Sequence, residues 1–194
     1  MSGLGASMFN QLGKHWAPDI QTGDATRFSE HLGMKIVIDN RKWEQAGPGG
    51  KPWRSGSKIT CILLKNASGG AITGGLFYTL TVDAAGIGNL HTSDGLATAA
   101  GRRQILVDPF LNETVPDGNF FLGITWGVVP VTSGAAIAQG AEIVPTTGGK
   151  ALTKDADNTP DERAYVQGIM IEAATGADQS KLCLICNPDF AGMS

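Results

Sequence analysis

Short apolar runs separated by polar, Gly-rich stretches recur along most of this chain. The runs are rich in Val, Ile, Thr and aromatic residues, the composition that favours strands over helices. They do not alternate with helical patterns, which argues against a doubly wound α/β fold. Eight of them predict strands, at 34–39, 58–65, 76–82, 103–108, 120–129, 141–144, 166–171 and 181–186. The pattern therefore predicts a mainly β fold: a barrel- or sandwich-like body of short antiparallel strands with long Gly-rich loops.

Glycine accounts for 27 of the 194 residues, without a Gly-X-Y period. That is about twice the usual share, and the glycines lie singly or in pairs between the predicted strands. Such placement indicates turns and bulges rather than a disordered tract. Residues 46–52 and 86–101 are predicted to be loops on this basis.

Two Gly-rich segments, residues 68–75 and 133–140, share the pattern Ser-Gly-x-Ala-Ile-x-x-Gly. Each is followed at once by a predicted strand. We interpret them as equivalent corners of one β architecture, although chance similarity competes in a chain so rich in Gly and Ala. Each corner is expected to bury its isoleucine, Ile72 or Ile137. The final glycine would then adopt the positive φ that starts the next strand.

The first 25 residues are rich in Gly, Ser and polar residues but carry isolated apolar side chains. A frayed terminus is one interpretation. The other is an extended N-terminal arm that orders on a partner, since large apolar residues are rare in true linkers. Twenty extended residues reach about 66 Å, against a radius of gyration of about 16 Å for a compact chain of this length. A short helix is predicted at 24–32, capped by Asp24 and ended by Gly33.

Charge divides the chain in two. Residues 1–65 carry nine Lys/Arg and five Asp/Glu, a balance of +4, whereas residues 66–194 carry six and thirteen, a balance of −7. The sum is the net charge of −3. Because the two parts carry net charges of opposite sign, we expect them to face different surroundings. We predict an N-terminal arm and docking region at 1–57 and a β-rich body at 58–194.

Aromatic and basic residues cluster in the N-terminal region, which holds three of the four tryptophans. Trp and Arg are enriched at protein–protein hot spots. Local packing is an alternative, and single-stranded nucleic-acid binding is a weaker one because the pI is near 5.5. The predicted partner interface consists of Phe9, Trp16, Arg41, Trp43, Trp53 and Arg54.

No coherent active site emerges from the sequence. His91, Ser93 and Asp94 form the one local group that suggests a hydrolase, without a Gly-x-Ser-x-Gly elbow to support it. Cys183-x-x-Cys186 lacks the second ligand pair of a zinc site, and positions three apart on a strand face opposite sides. With Cys61 these cysteines are expected to be reduced and buried. We expect no catalytic residue, no metal and no cofactor.

Residues 64–75, opening Leu-Lys-Asn-Ala-Ser-Gly, resemble the opening of the tailed-phage capsid decoration proteins, also called cement or head-stabilising proteins. The later runs 115–127, 133–140, 147–150 and 166–171 are similar to the rest of that pattern. The resemblance spans about residues 58–187 and implies a β-barrel-like body on the outer capsid lattice, often as trimers. This chain departs from the short family member in its longer N-terminal region and in the 84–101 and 153–163 loops.

The resemblance implies a non-enzymatic structural virion protein that binds the outer surface of an assembled capsid and bridges neighbouring capsomers. Its expected partners are the major capsid protein and itself, as a homotrimer, with no nucleic acid and no membrane. No run of about 18 apolar residues and no secretory signal is present, so assembly in the host cytoplasm is expected. The alternatives are a carbohydrate- or surface-binding β module of a virion and, less favoured, a hydrolase.

Overall fold

Twelve strands and no helix make up the part of the chain that the computed structural model describes, residues 32–39, 58–82, 90–96, 104–109, 111, 114–145, 148–154 and 166–186. The strands are β1 (Lys35–Asp39), β2 (Lys58–Asn66), β3 (Ile72–Thr73), β4 (Phe77–Val82), β5 (Leu90–Leu96), β6 (Gln104–Val107), β7 (Thr114–Val115), β8 (Phe120–Thr132), β9 (Glu142–Pro145), β10 (Ala151–Thr153), β11 (Gly168–Met170) and β12 (Ser180–Cys186). The predicted mainly β class is confirmed.

Ten of these strands form one sheet in the order β1-β2-β5-β4-β6-β8-β12-β11-β9-β10, and β3 pairs with β7 apart from it. β2 also pairs directly with β8, so the sheet folds back across itself into a sandwich-like body. The pairings are antiparallel except for the short parallel contact of β2 with β5. No helix in the described part of the chain has the length and apolarity needed to span a membrane.

All eight predicted strands are present, with ends shifted by up to three residues. The prediction of a loop across 86–101 is wrong, because β5 occupies Leu90–Leu96 within it. The run Leu-His-Thr-Ser-Asp-Gly-Leu has no apolar alternation to mark a strand. It is extended because its backbone pairs with β4 on one side and β2 on the other, a tertiary effect that overrides propensity.

Several predictions fall on residues outside the described ranges: the arm at 1–25, the loop at 46–52 and, apart from Leu32, the helix at 24–32. The division at residue 57 stays a prediction. β1, although within the predicted docking region, pairs with β2 over all five of its residues. The main sheet therefore begins inside that region.

β2 and β8 lie at the centre of the body, and residues 61–64 of β2 and 120–125 of β8 are buried on both faces. Alternate residues of each strand enter two different hydrophobic cores. Ile59, Cys61 and Leu63 belong to the main core, while Ile62 and Leu64 belong to the second core. The main core also takes residues from β1, β9, β11 and β12, the second core takes residues from β3 and β7, and β4 and β6 contribute to both. Strands covered on both sides explain the nearly continuous apolar run at 59–64.

The two corners behave as the sequence predicts. Ile72 is 1% exposed and Ile137 2% exposed, so both isoleucines are buried. Gly75 has a φ of 77° and Gly140 a φ of 81°, values that favour glycine. Each isoleucine also makes an antiparallel bridge, Ile72 to Val115 and Ile137 to Ala174.

Asn66 joins the first corner to the turn before β8. Its side chain is fully buried, and Nδ2 donates to the carbonyl oxygens of Gly70 at 2.8 Å and Val115 at 2.9 Å. Its Oδ1 accepts hydrogen bonds from the backbone N–H and the hydroxyl of Ser68, at 3.1 and 2.8 Å. The Lys-Asn-x-Ser-Gly motif is therefore a structural junction, with the asparagine saturated by hydrogen bonds.

Candidate functional site

The predicted interface residues Phe9, Trp16, Arg41, Trp43, Trp53 and Arg54 all lie outside the described ranges. Their role in docking stays a prediction. Within the described residues, a different surface has the features of an interface, and it lies on the main sheet itself.

This surface, which we call the outer face, is the side of the sheet turned away from the main core. Its members are consecutive in register across five strands: Val37 of β1, Thr60 of β2, Trp126 and Val128 of β8, Leu184 of β12 and Ile169 of β11. Val37 pairs with Thr60 and Thr60 with Trp126. Val128 pairs with Leu184 and Leu184 with Ile169. Residues paired in this way point to the same side of a sheet, so these side chains form one surface.

Large apolar side chains are exposed on the outer face. Val37 is 56% exposed, Trp126 47% and Ile169 39%, and Ile171, just beyond the end of β11, is 37% exposed. Val128 and Leu184 are half-buried between them. Single exposed apolar residues are ordinary, whereas a contiguous apolar group indicates an interaction surface.

A β-bulge is what places Trp126 on this surface. Thr60 is opposite Trp126 while its neighbour Cys61 is opposite Ile124, so Thr125 is the extra residue. Before the bulge the even-numbered residues of β8 enter the main core, and after it Val129 and Val131 do. Simple alternation from Ile124 would have sent Trp126 inward. The extra residue reverses the two sides of the strand.

Charged residues border the outer face. Glu142 is paired with Ile169 across β9 and β11. Its carboxylate accepts a hydrogen bond of 2.9 Å from Lys154 Nζ. Lys58, exposed at the start of β2, lies two residues before Thr60 and so on the same side. An apolar centre with a charged rim is the usual anatomy of a protein–protein interface.

The sequence signal for the outer face was weak. Trp126 stands in a long apolar run that predicts a buried strand, and no local feature marks the bulge. Ile169 and Ile171 alternate with Gly168 and Met170. This period-2 pattern predicts a strand but does not predict which of its two faces is exposed. The aromatic and basic clusters before residue 58 give a stronger sequence signal for an interface than any residue of the outer face.

The three cysteines are free thiols, two of them buried. The Cys183 side chain lies in the main core. Cys186 is paired with Trp126 of β8, so its side chain lies on the opposite face of β12, the outer face. The two therefore face opposite sides of their strand, as the three-residue spacing predicts. Among the described residues, no group of three His, Cys, Asp or Glu side chains is placed to hold a metal ion.

Burial, with the neighbouring Cys186 as a lesser cause, raises the pKa of the Cys183 thiol to about 12. Burial, with the Asp108 carboxylate as a lesser cause, also raises the pKa of Cys61 well above the usual 9.0. In the unfolded chain these thiols ionise at lower pH than in the folded protein. Stability from this source is therefore complete below pH 9 and is lost as pH rises from 9.0 towards 12.

We expect the free energy of unfolding to fall above pH 9, by up to about 1.4 kcal/mol per pH unit for each buried thiol. Cys183→Ala should flatten that fall, while Cys186→Ala, at a half-exposed position, should change it less. Urea unfolding of the three proteins from pH 7 to 11 measures the effect. Parallel curves for the wild type and Cys183→Ala would contradict it.

His91, Ser93 and Asp94, the residues of the hydrolase hypothesis, lie on β5. Their side chains are outside the described part of the structure. The outer face itself contains no pairing of a nucleophile with a base, and its members can act by burying apolar area.

No protein-family model matches the chain, and no curated protein does. Among solved structures, the chain is similar to the head fiber gp8.5 N base in bacteriophage phi29, with 12% sequence identity and a TM-score of 0.44. The similarity covers 66% of this chain and 95% of that one. A likeness of this size assigns neither the fold nor the function of this chain.

Proposed function

We propose that this chain is a non-enzymatic structural protein of a tailed-phage virion. It binds the outer surface of the assembled capsid and stabilises it by bridging neighbouring capsomers. Its partners are the major capsid protein and further copies of itself, as a homotrimer. The observation that carries the proposal is the outer face, an exposed apolar surface built on the rigid centre of the main sheet.

The outer face has the physical make-up of a docking surface. Trp126 supplies a large aromatic anchor on a paired strand, so little conformational entropy is lost when it is buried. Covering one large apolar side chain is worth about 1.5–3 kcal/mol. A protein that binds only the assembled shell stabilises it by mass action, and a lattice repeats that gain at every site.

The capsid as the partner is inferred from the sequence resemblance to decoration proteins. The motif that opens this resemblance, Lys65 to Gly69, is the junction held together by the buried side chain of Asn66. This motif therefore supports the β architecture that the resemblance implies. The predicted arm at 1–25 would add a second contact, at a distance that the body does not reach.

Trp126→Arg is expected to weaken capsid binding about 30-fold, because a buried aromatic anchor contributes 2 kcal/mol or more. The measurement is co-sedimentation with purified, assembled capsids of the virus that encodes the chain, over a range of protein concentrations. Thr73→Arg is the matched control, since it adds a positive charge at an exposed position of β3, a strand outside the ten-stranded sheet. Equal melting temperatures would show that both variants are folded.

Wild-type protein that does not co-sediment with capsids at stoichiometric copy number would overturn the proposed function. Normal binding by Trp126→Arg would instead remove the outer face as the docking surface. Deletion of residues 1–25 tests the arm separately: unchanged occupancy after deletion would contradict a role for it.

A carbohydrate-binding module is the second candidate, since the exposed Trp126 could stack on a sugar ring. Sugar sites also need convergent polar groups. The neighbours of Trp126 on the outer face are mainly apolar, which favours a protein partner. Glycan-array binding that is lost in Trp126→Arg, without capsid binding by the wild type, would reverse this preference.

A further inference from the structure

β1 is an edge strand of the described sheet. It stands first in the order of the ten-stranded sheet and, among the described residues, pairs with β2 alone. An unpaired edge presents a row of N–H and C=O groups that can accept another strand.

The backbone groups on that free edge can be identified. The N–H of Leu63 on β2 donates to the carbonyl oxygen of Met34 at 3.1 Å. Because successive residues of a strand turn their backbone groups to opposite edges, those of residues 35, 37 and 39 point away from β2. The side chains of Ile36 and Ile38 enter the main core, while Val37 is the most exposed of the large apolar residues described.

The sequence of β1, Lys-Ile-Val-Ile-Asp, has opposite charges at its two ends and apolar residues between them. If β1 pairs antiparallel with β1 of a second copy, centred on residue 37, then Lys35 lies opposite the Asp at position 39 of that copy. The reverse pair forms at the other end, Ile36 stands opposite Ile38, and Val37 stands opposite Val37. Residues 35, 37 and 39 are the ones with free backbone groups, so this register also satisfies the hydrogen-bonding alternation.

We infer that β1 pairs antiparallel with β1 of a second copy of this chain, about a two-fold axis through Val37. The contact is isologous, since the same five residues serve both copies. It joins two ten-stranded sheets edge to edge and makes their outer faces continuous across the Val37 pair. It is a two-fold contact, and so is separate from any three-fold contact within a homotrimer.

Two cross-strand pairs of opposite charge favour this register over its neighbours. Directly opposed residues of antiparallel strands lie close enough for opposite charges to attract, and like charges there are unfavourable. A shift by two residues breaks both ion pairs and leaves fewer residues paired. The alternative is that the charge of Lys35 prevents this edge from pairing with another strand. In that case the protein would not form this dimer.

Val37→Cys in the full chain tests the contact in solution, without capsids. The Cα atoms of a hydrogen-bonded antiparallel pair are about 5.5 Å apart, within the range that a disulfide spans. We expect a disulfide-linked dimer under mild oxidation, seen on non-reducing gels. Ile169→Cys is the control, because residue 169 is also exposed but lies on β11, paired with strands on both sides.

Charge reversal tests the register. In the Val37→Cys background, Lys35→Asp and Asp39→Lys should each lower the rate of cross-linking about tenfold, by setting like charges opposite each other. A mixture of the two variants should restore it, because one copy then carries two acids and the other two bases. The double exchange, Lys35→Asp with Asp39→Lys, should also restore it.

Absence of the Val37→Cys dimer, with the variant folded by circular dichroism, would overturn the inference. So would equal cross-linking rates in the single, mixed and double-exchange samples, which would show contact without this register. Capsid binding plays no part in these measurements, so their outcome is independent of the proposed function.

Discussion

Asn66→Asp should destabilise the folded protein by about 3 kcal/mol at neutral pH. The change keeps the size and shape of the side chain but replaces the Nδ2 donor with an oxygen. That oxygen would face the carbonyl oxygens of Gly70 and Val115, which now accept from Nδ2 at 2.8 and 2.9 Å. The Asn66 side chain and its bond to Val115 are buried, so water cannot replace the donor at the Val115 carbonyl, and a carboxylate there is strongly unfavourable.

Urea unfolding followed by circular dichroism would measure this loss. Asn66→Ala should cost a similar amount, because it leaves the same two carbonyl oxygens without Nδ2. Ser68→Ala serves as the matched control: its hydroxyl bonds to Asn66 Oδ1, but the Ser68 backbone N–H also does. We expect that variant to lose about 1 kcal/mol. A loss in Asn66→Asp no greater than in Ser68→Ala would show that the junction does not hold the corner.

The fold could be predicted where the local sequence pattern alone determines which residues are buried in the folded protein. Ile72 and Ile137 could be assigned to the core because a corner leaves one apolar side chain with a single direction in which to be buried. The run at 59–64 was recognisable as a strand because both of its faces are covered. In each case the buried residues are the same apolar residues whose spacing in the sequence predicts the structure.

The unpredicted part depends on partners far away in sequence. β5 has a polar sequence and is a strand because β2 and β4 flank it. Trp126 reaches the outer face because of a bulge that exists in the pairing of β2 with β8. No feature within residues 120–129 shows where the extra residue falls. Secondary structure was therefore easier to predict than the side of the sheet that each residue occupies.

This difference explains why the outer face consists of other residues than the interface predicted from composition. Composition points to regions rich in Trp and Arg, and it predicts six interface residues before residue 58. A docking surface on a sheet requires instead that side chains from several strands share one side. Val37, Trp126 and Ile169 are separated by tens of residues in the chain and come together only through register.

Gly168→Ala should be among the most damaging single-methyl additions, with an expected loss of about 3 kcal/mol. Gly168 is paired with Ile185 of β12 and Ile143 of β9, so its position is fixed from both sides. A Cβ there would lie far inside contact distance of the Leu184 carbonyl oxygen and 3.0 Å from Cys183 Sγ. The carbonyl is backbone of a paired strand, so it can move away only if β11 and β12 separate.

Gly176→Ala provides the matched control, since it makes the same chemical change in the loop before β12. The closest atom to its added methyl is Gln179 Nε2 at 3.9 Å, an ordinary contact, and the residue has no positive φ. Its stability should stay within about 0.5 kcal/mol of the wild type. Urea midpoints of the two variants decide the matter: equal midpoints would mean that β11 is not held between β9 and β12. Because Ile169 follows Gly168, loosening β11 should also reduce binding through the outer face in the fraction that remains folded.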